Sequence, residues 1–136
     1  MVAVLMAVAA GCTAGLDETM EAGGDLPLSV SVEFSVEKNA NPNVTITARL
    51  RNLGDRPLTL RVRCSVIEID QDQAGTWQRL GDLRLCAPPN QETLAAGATR
   101  TATDWRLLSP GNYRVVIEGD DGRSAVSEPF AVPALR

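Results

Sequence analysis

The stretch NVTITARLRN, residues 43–52, alternates apolar and polar side chains without a break. Val44, Ile46, Ala48 and Leu50 fall on one side; Thr45, Thr47, Arg49 and Arg51 fall on the other. A period of two marks a strand with one buried face, and Val, Ile and Thr suit a pleated surface. The same period holds upstream in LSVSVEFSVE (28–37). There Val30, Val32, Phe34 and Val36 oppose Ser29, Ser31, Glu33 and Ser35. The NPN turn at 41–43 joins the two runs.

Downstream, NLGDRP (52–57) carries Gly-Asp turn chemistry and predicts a hairpin into a third strand. The run PLTLRVRCSVIEID (57–70) predicts one long strand with Leu58, Leu60, Val62, Cys64 and Val66 inward. Its apolar register shifts at Ile67 and Ile69, so a bulge is expected near Val66-Ile67. DQDQAG (70–75) reads as a turn before a short strand around Trp77. GDLRLCAPPN (81–90) is irregular, and Pro88-Pro89 is excluded from a central strand. Residues 92–107 are rich in Thr and Ala and end in DWRLL. YRVVIEG (113–119) reads as a strand, DDG (120–122) as a hairpin turn and SAVSEPFAV (124–132) as the last strand. About seven short strands with no helical period after residue 12 predict an all-β, immunoglobulin-like β-sandwich over residues 28–133.

Composition narrows the chemistry. The chain of 136 residues has a net charge of −4 and no histidine. An acidic chain does not suit binding to nucleic acid through phosphate neutralisation. Without histidine there is no Ser-His-Asp or Cys-His site and no imidazole metal ligand. No catalytic residue, metal site or cofactor is expected. DQDQAG starts like a calcium loop, but Ala74 and Gly81 stand where ligands are required. It reads as an acidic turn. Asn43-Val44-Thr45 fits a glycosylation acceptor pattern and reads as a polar opening to a strand.

The first 27 residues have a different character. Val2–Ala10 is apolar but too short for a membrane span, which takes ~20 residues. It fits the hydrophobic region of a secretory signal. Ala9-Ala10-Gly11-Cys12 resembles a bacterial lipobox, which implies that Cys12 carries lipid and becomes the mature N-terminus. Residues 13–27 are small and acidic and read as a flexible tether. Removing Cys12 from the thiol count leaves Cys64 and Cys86 as a pair, expected to form a disulfide in an oxidising space. The predicted location is the cell envelope, on the periplasmic or outer-membrane face.

Other motifs have structural and functional readings. Leu108-Ser109-Pro110-Gly111-Asn112-Tyr113 looks like the tyrosine corner of immunoglobulin-like domains, with Pro110, Gly111 and Tyr113 as structural residues. Trp77 and Trp105 read as core packing, with Trp77 at a hairpin tip as the alternative contact site. Arg49, Arg51, Arg61 and Arg63 occupy outward positions of two adjacent strands, which predicts a basic stripe on one sheet face that would be solvated or would dock an acidic partner.

The run NVTITARLRNLGDRPLTL, Gly75 with Trp77, Leu94 with Gly97, Trp105 and Pro110-Gly111-x-Tyr113 together resemble the BsuPI-type intracellular proteinase inhibitor domain. The resemblance covers residues 43–118 and implies an immunoglobulin-like sandwich. The expected role is a lipid-anchored binding or accessory module that recognises an envelope protein, not an enzyme. One alternative is a protease inhibitor presenting a rigid loop, CAPPNQE with Pro88 and Pro89 being favoured by its neighbouring disulfide. The other is a purely structural domain.

Overall fold

The computed structural model describes residues 25–37, 43–82 and 84–134. The signal-like segment, Cys12 and the tether up to residue 24 lie outside the described residues. Ten strands form among the described residues, and no helix does. They are β1 (Leu28–Glu37), β2 (Asn43–Asn52), β3 (Leu58–Val62), β4 (Glu68–Gln73), β5 (Thr76–Arg79), β6 (Asn90–Leu94), β7 (Thr99–Leu107), β8 (Gly111–Glu118), β9 (Ser124–Val126) and β10 (Phe130–Val132).

The alternation in the sequence builds the first layer, an antiparallel sheet in the order β1-β2-β7. Val44, Ile46, Ala48 and Leu50 of its central strand are fully buried. They face Ile69 of β4 and Tyr113, Val115 and Ile117 of β8 within one core. The second layer runs β10-β8-β4-β5, with β9 also paired to β8. The fold is an all-β sandwich of the immunoglobulin-like kind. Its core extends past β1, because Leu26 is buried and its N–H donates to the Ser124 carbonyl.

The ten strands run in about seven lines. From the turn at Ala74-Gly75, pairing proceeds from Gln73↔Thr76 to Asp70↔Arg79 and resumes at Val62↔Asn90 through Leu58↔Leu94. Leu60 also bridges Gly119, so β3 continues the line of β4 beside β8. The bulge expected at Val66-Ile67 is therefore a break over residues 63–67. It is matched on the partner line by the irregular segment after β5. DQDQAG is mostly strand: the turn is confined to Ala74 and Gly75, both at positive φ. β9 and β10 form a single edge line interrupted at Ser127. There the Val115 N–H donates to Ser127 Oγ at 2.9 Å, and Ser127 N–H donates to the Val115 carbonyl at 2.9 Å.

NLGDRP is not a hairpin. β2 pairs with β1 and β7, whereas β3 pairs with β6, so the chain crosses between layers. Asn52 governs the crossing. It is fully buried, and its Nδ2 donates to the carbonyls of Arg56 at 2.8 Å and Leu94 at 3.1 Å. Its Oδ1 accepts from the Gly54 N–H at 2.9 Å. A buried amide bonded to four backbone groups, the Ala95 carbonyl at 3.3 Å included, fixes the exit from β2.

Two further features position the surface. Tyr113, the largest fully buried side chain, donates from its hydroxyl to the Ser109 carbonyl at 2.5 Å. This ties the turn at Pro110-Gly111 to β8. On the open edge of β7, the Trp105 N–H donates to Asp104 Oδ1 at 2.9 Å and the Thr101 carbonyl accepts from Arg100 Nη1 at 2.9 Å. Side chains thus take up backbone groups that no neighbouring strand uses.

Candidate functional site

Strand β7 turns Ala102, Asp104 and Arg106 inward, and all three are buried. Register forces this. Ala102 pairs with Ala48 and Asp104 with Ile46, so each shares the core face of β2. A buried carboxylate and guanidinium require partners. Asp104 accepts from Arg84 Nη1 at 2.8 Å, Arg84 Nη2 at 3.0 Å and Ser65 Oγ at 3.0 Å. Arg106 donates to the Ile67 carbonyl at 3.1 Å and lies 3.4 Å from Asp82. Arg84 also grips Asp82, with Nη2 donating to Oδ2 at 2.6 Å.

The lattice sets the protonation of its members. The bonded Arg84 guanidinium holds the Asp82 carboxyl down at about 2, against the cost of burial. For Asp104, burial pushes the carboxyl up, but bonds from Arg84, the Trp105 N–H and Ser65 outweigh it, and the net shift is downward. Arg84 is held above its ordinary range by the bonds to Asp82 and Asp104.

On this base sits a braced loop. Arg84 is locked by its two carboxylates, and Cys86 is joined to Cys64 in a disulfide with a Cα–Cα distance of 5.2 Å. The disulfide thus spans the two interruptions in the paired lines. Between these anchors the Leu85 side chain is entirely exposed, at 105%. Pro88 and Pro89 follow, also exposed. A cleft of about 260 Å³ opens beside the loop, lined by Gly81, Asp82, Arg84, Trp105, Arg106 and Leu107. Trp105 is 48% exposed and Leu107 64%. The Arg84 guanidinium carbon lies 5.6 Å from the Trp105 ring centre. A second cavity of about 290 Å³ adjoins it, reaching Cys64, Ser65 and Arg79.

Large apolar side chains on a rigid charged base are the arrangement of a contact surface. It is a poor metal site. Donor atoms of Cys64, Asp82 and Cys86 lie within 4.8 Å of one another, but the sulfurs are spent in the disulfide and Asp82 is held by Arg84.

The other singled-out residues lie elsewhere. Trp77 sits on β5 rather than at the hairpin tip, half-buried, with the Arg114 guanidinium carbon 4.6 Å from its ring centre. Trp105 is not core. The expected basic stripe does not form, because Arg49 and Arg51 lie on β2 in one sheet while Arg61 lies on β3 and Arg63 just beyond it. Arg61 and Arg63 are drawn into ion pairs with Glu118, at 3.7 and 3.2 Å, which Arg79 also reaches at 3.0 Å. Burial pushes the Glu118 carboxyl up, but Arg79, Arg63 and Arg61 outweigh it and hold it low. Asp70 is buried between Arg79 and Arg114. The sequence reading missed Leu85 and the Asp82–Arg84–Asp104–Arg106 lattice. The signal available was charge in TATDWRL at positions that a paired strand turns inward.

No protein-family model matches the sequence, and no curated protein matches it. Solved structures are similar in fold. The ApaA protein of Bordetella pertussis aligns at 21% identity and a TM-score of 0.50, over 82% of this chain and 98% of that one. The alkylpurine DNA glycosylase AlkC of Pseudomonas fluorescens aligns at 17% and 0.47, over 83% of this chain and 32% of the glycosylase. A β-glucosidase of Listeria innocua aligns at 14% and 0.43, over 80% of this chain and 16% of the enzyme. At 21% identity the likeness to the ApaA protein is one of fold alone.

Proposed function

We propose that the chain is a non-catalytic binding module of a bacterial cell envelope, anchored by lipid on Cys12, which recognises an envelope protein through Leu85 and the Trp105 cleft. The observation that carries this reading is Leu85: a fully exposed leucine held between an ion-locked arginine and a disulfide. A segment already ordered loses little conformational freedom on binding, so its contacts convert efficiently into affinity. Asp82, Asp104 and Glu118 are held ionised by arginine, which removes them as proton donors near neutral pH. An exported location is supported by the disulfide, a bond that persists in oxidising compartments. Among the described residues no helix is long and apolar enough to cross a membrane.

Two experiments test the parts separately. For the contact surface, a photo-crosslinking residue at position 85 is expected to give a discrete adduct in cells. The same residue at Gln73, exposed at the far β4–β5 turn, gives none, and Trp105→Ala lowers the yield several-fold. Identical adducts from both positions would remove the reading. For the anchor, Cys12→Ser is expected to abolish fatty-acid labelling and release the chain from membranes. A wild-type chain that takes up no label ends the anchor proposal.

The exposed Leu85 also favours a second reading, a protease inhibitor that offers this loop to a leucine-preferring active site. Slowed turnover with the loop intact would assign that role. Cleavage after Leu85 without any slowing would exclude it.

A further inference from the structure

Arginine is abundant in this domain, and most of the described arginines are ion-paired. Besides the pairs on the second sheet and in the lattice, Arg100 pairs with Glu92 and Arg123 with Asp121. Among the described residues, Arg49 and Arg51 have no ion-pair partner; Arg56, in the crossover turn, is the other such arginine. Arg49 and Arg51 are both exposed and stand two residues apart on the outward face of β2. Alternation directs their side chains the same way, ~7 Å apart along the strand. The chain carries 17 acidic residues, yet none of those described lies within ion-pair distance of these two cations. Neighbouring like charges repel, and no described acidic side chain lies close enough to pair with either.

Their surroundings identify a ligand chemistry. Arg49 lies across from Ser31 on β1 and Thr101 on β7; Arg51 lies across from Ser29 and Thr99. All four flanking residues are exposed. Two guanidinium forks are therefore framed by four hydroxyls on one sheet face, with no apolar side chain in those two rows. We propose that this face binds a strand of an acidic polysaccharide. Uronate-type carboxylates would take the two guanidinium groups, which match carboxylate geometry in a bidentate way. The serine and threonine hydroxyls, each both donor and acceptor, would exchange hydrogen bonds with sugar hydroxyls. A bilayer would call for apolar or aromatic side chains to enter the interface, and these rows have none. The surface is separate from the Leu85 site.

The test uses the full chain with polygalacturonate, neutral dextran, and phosphatidylglycerol vesicles as probes, read by titration calorimetry at several salt concentrations. Polygalacturonate is expected to bind and dextran not to. Replacing both residues (R49S/R51S) is expected to weaken binding about tenfold or more and to flatten its salt dependence by roughly two contacts. R123S, which removes a charge elsewhere, and W105A, which alters the cleft, both retain binding. Thermal melts check that each variant is folded. The proposal is overturned if the wild type does not prefer polygalacturonate to dextran, or if R49S/R51S binds like the wild type. It is equally overturned if vesicles are bound and polygalacturonate is not.

Discussion

Asp104→Ala is expected to lower the free energy of unfolding by about 3–5 kcal/mol, the cost of removing one member of a buried ion network. The carboxylate is 7% exposed and serves Arg84, Arg106, Ser65 and the Trp105 N–H together. Its loss leaves Arg106, only 8% exposed, with fewer partners for its charge. Urea denaturation provides the measurement, and a change under 1 kcal/mol would show the lattice to be ornamental. The same carboxylate predicts an acid limb. Because the folded-state pKa values of Asp104 and Asp82 lie below the ordinary 3.8, their contribution is complete above about pH 4 and lost as pH falls from there toward 2. Wild-type melting temperature should drop across that window, and the drop should be shallower in Asp104→Asn.

Breaking the Cys64–Cys86 bond is expected to cost about 3 kcal/mol in the chain-entropy account, for a sequence separation of 22. For a domain of this size that is a fall of roughly 10–20 °C in melting temperature. The double variant Cys64→Ser/Cys86→Ser and chemical reduction should agree. Hydrogen exchange should rise at residues 84–89 and stay unchanged in the middle of β2, because the bond spans two interruptions rather than paired strand. Equal melting temperatures with and without reductant would show that the ion lattice alone holds the loop.

Of these two effects, the cysteine pair was legible in the sequence and the Asp104 lattice was not. Alternation identified the buried row of β2, and Val44, Ile46, Ala48 and Leu50 are indeed fully buried. It also led to the all-β sandwich, since burying one face per strand leaves few other solutions. Partner choice was hidden. The turn chemistry of NLGDRP fits a hairpin, but the bonds of Asn52 to Leu94 and Arg56 make it a crossover, and a contact across 42 residues leaves no local trace. In TATDWRL, hydrophobicity favours turning Trp105 and Leu107 inward. The register with β2 imposes the opposite parity, so Asp104 and Arg106 go inside and two large apolar groups are left on the surface. The cleft was missed for the same reason: its walls follow from pairing rather than from composition.

The occupied edge of β7 has a consequence for the protein in company. A bare strand margin is a template onto which another chain can pair. Here Asp104 and Arg100 fill the Trp105 N–H and Thr101 carbonyl positions that an incoming strand would need. With these two groups already engaged, pairing of copies along this margin is made less favourable.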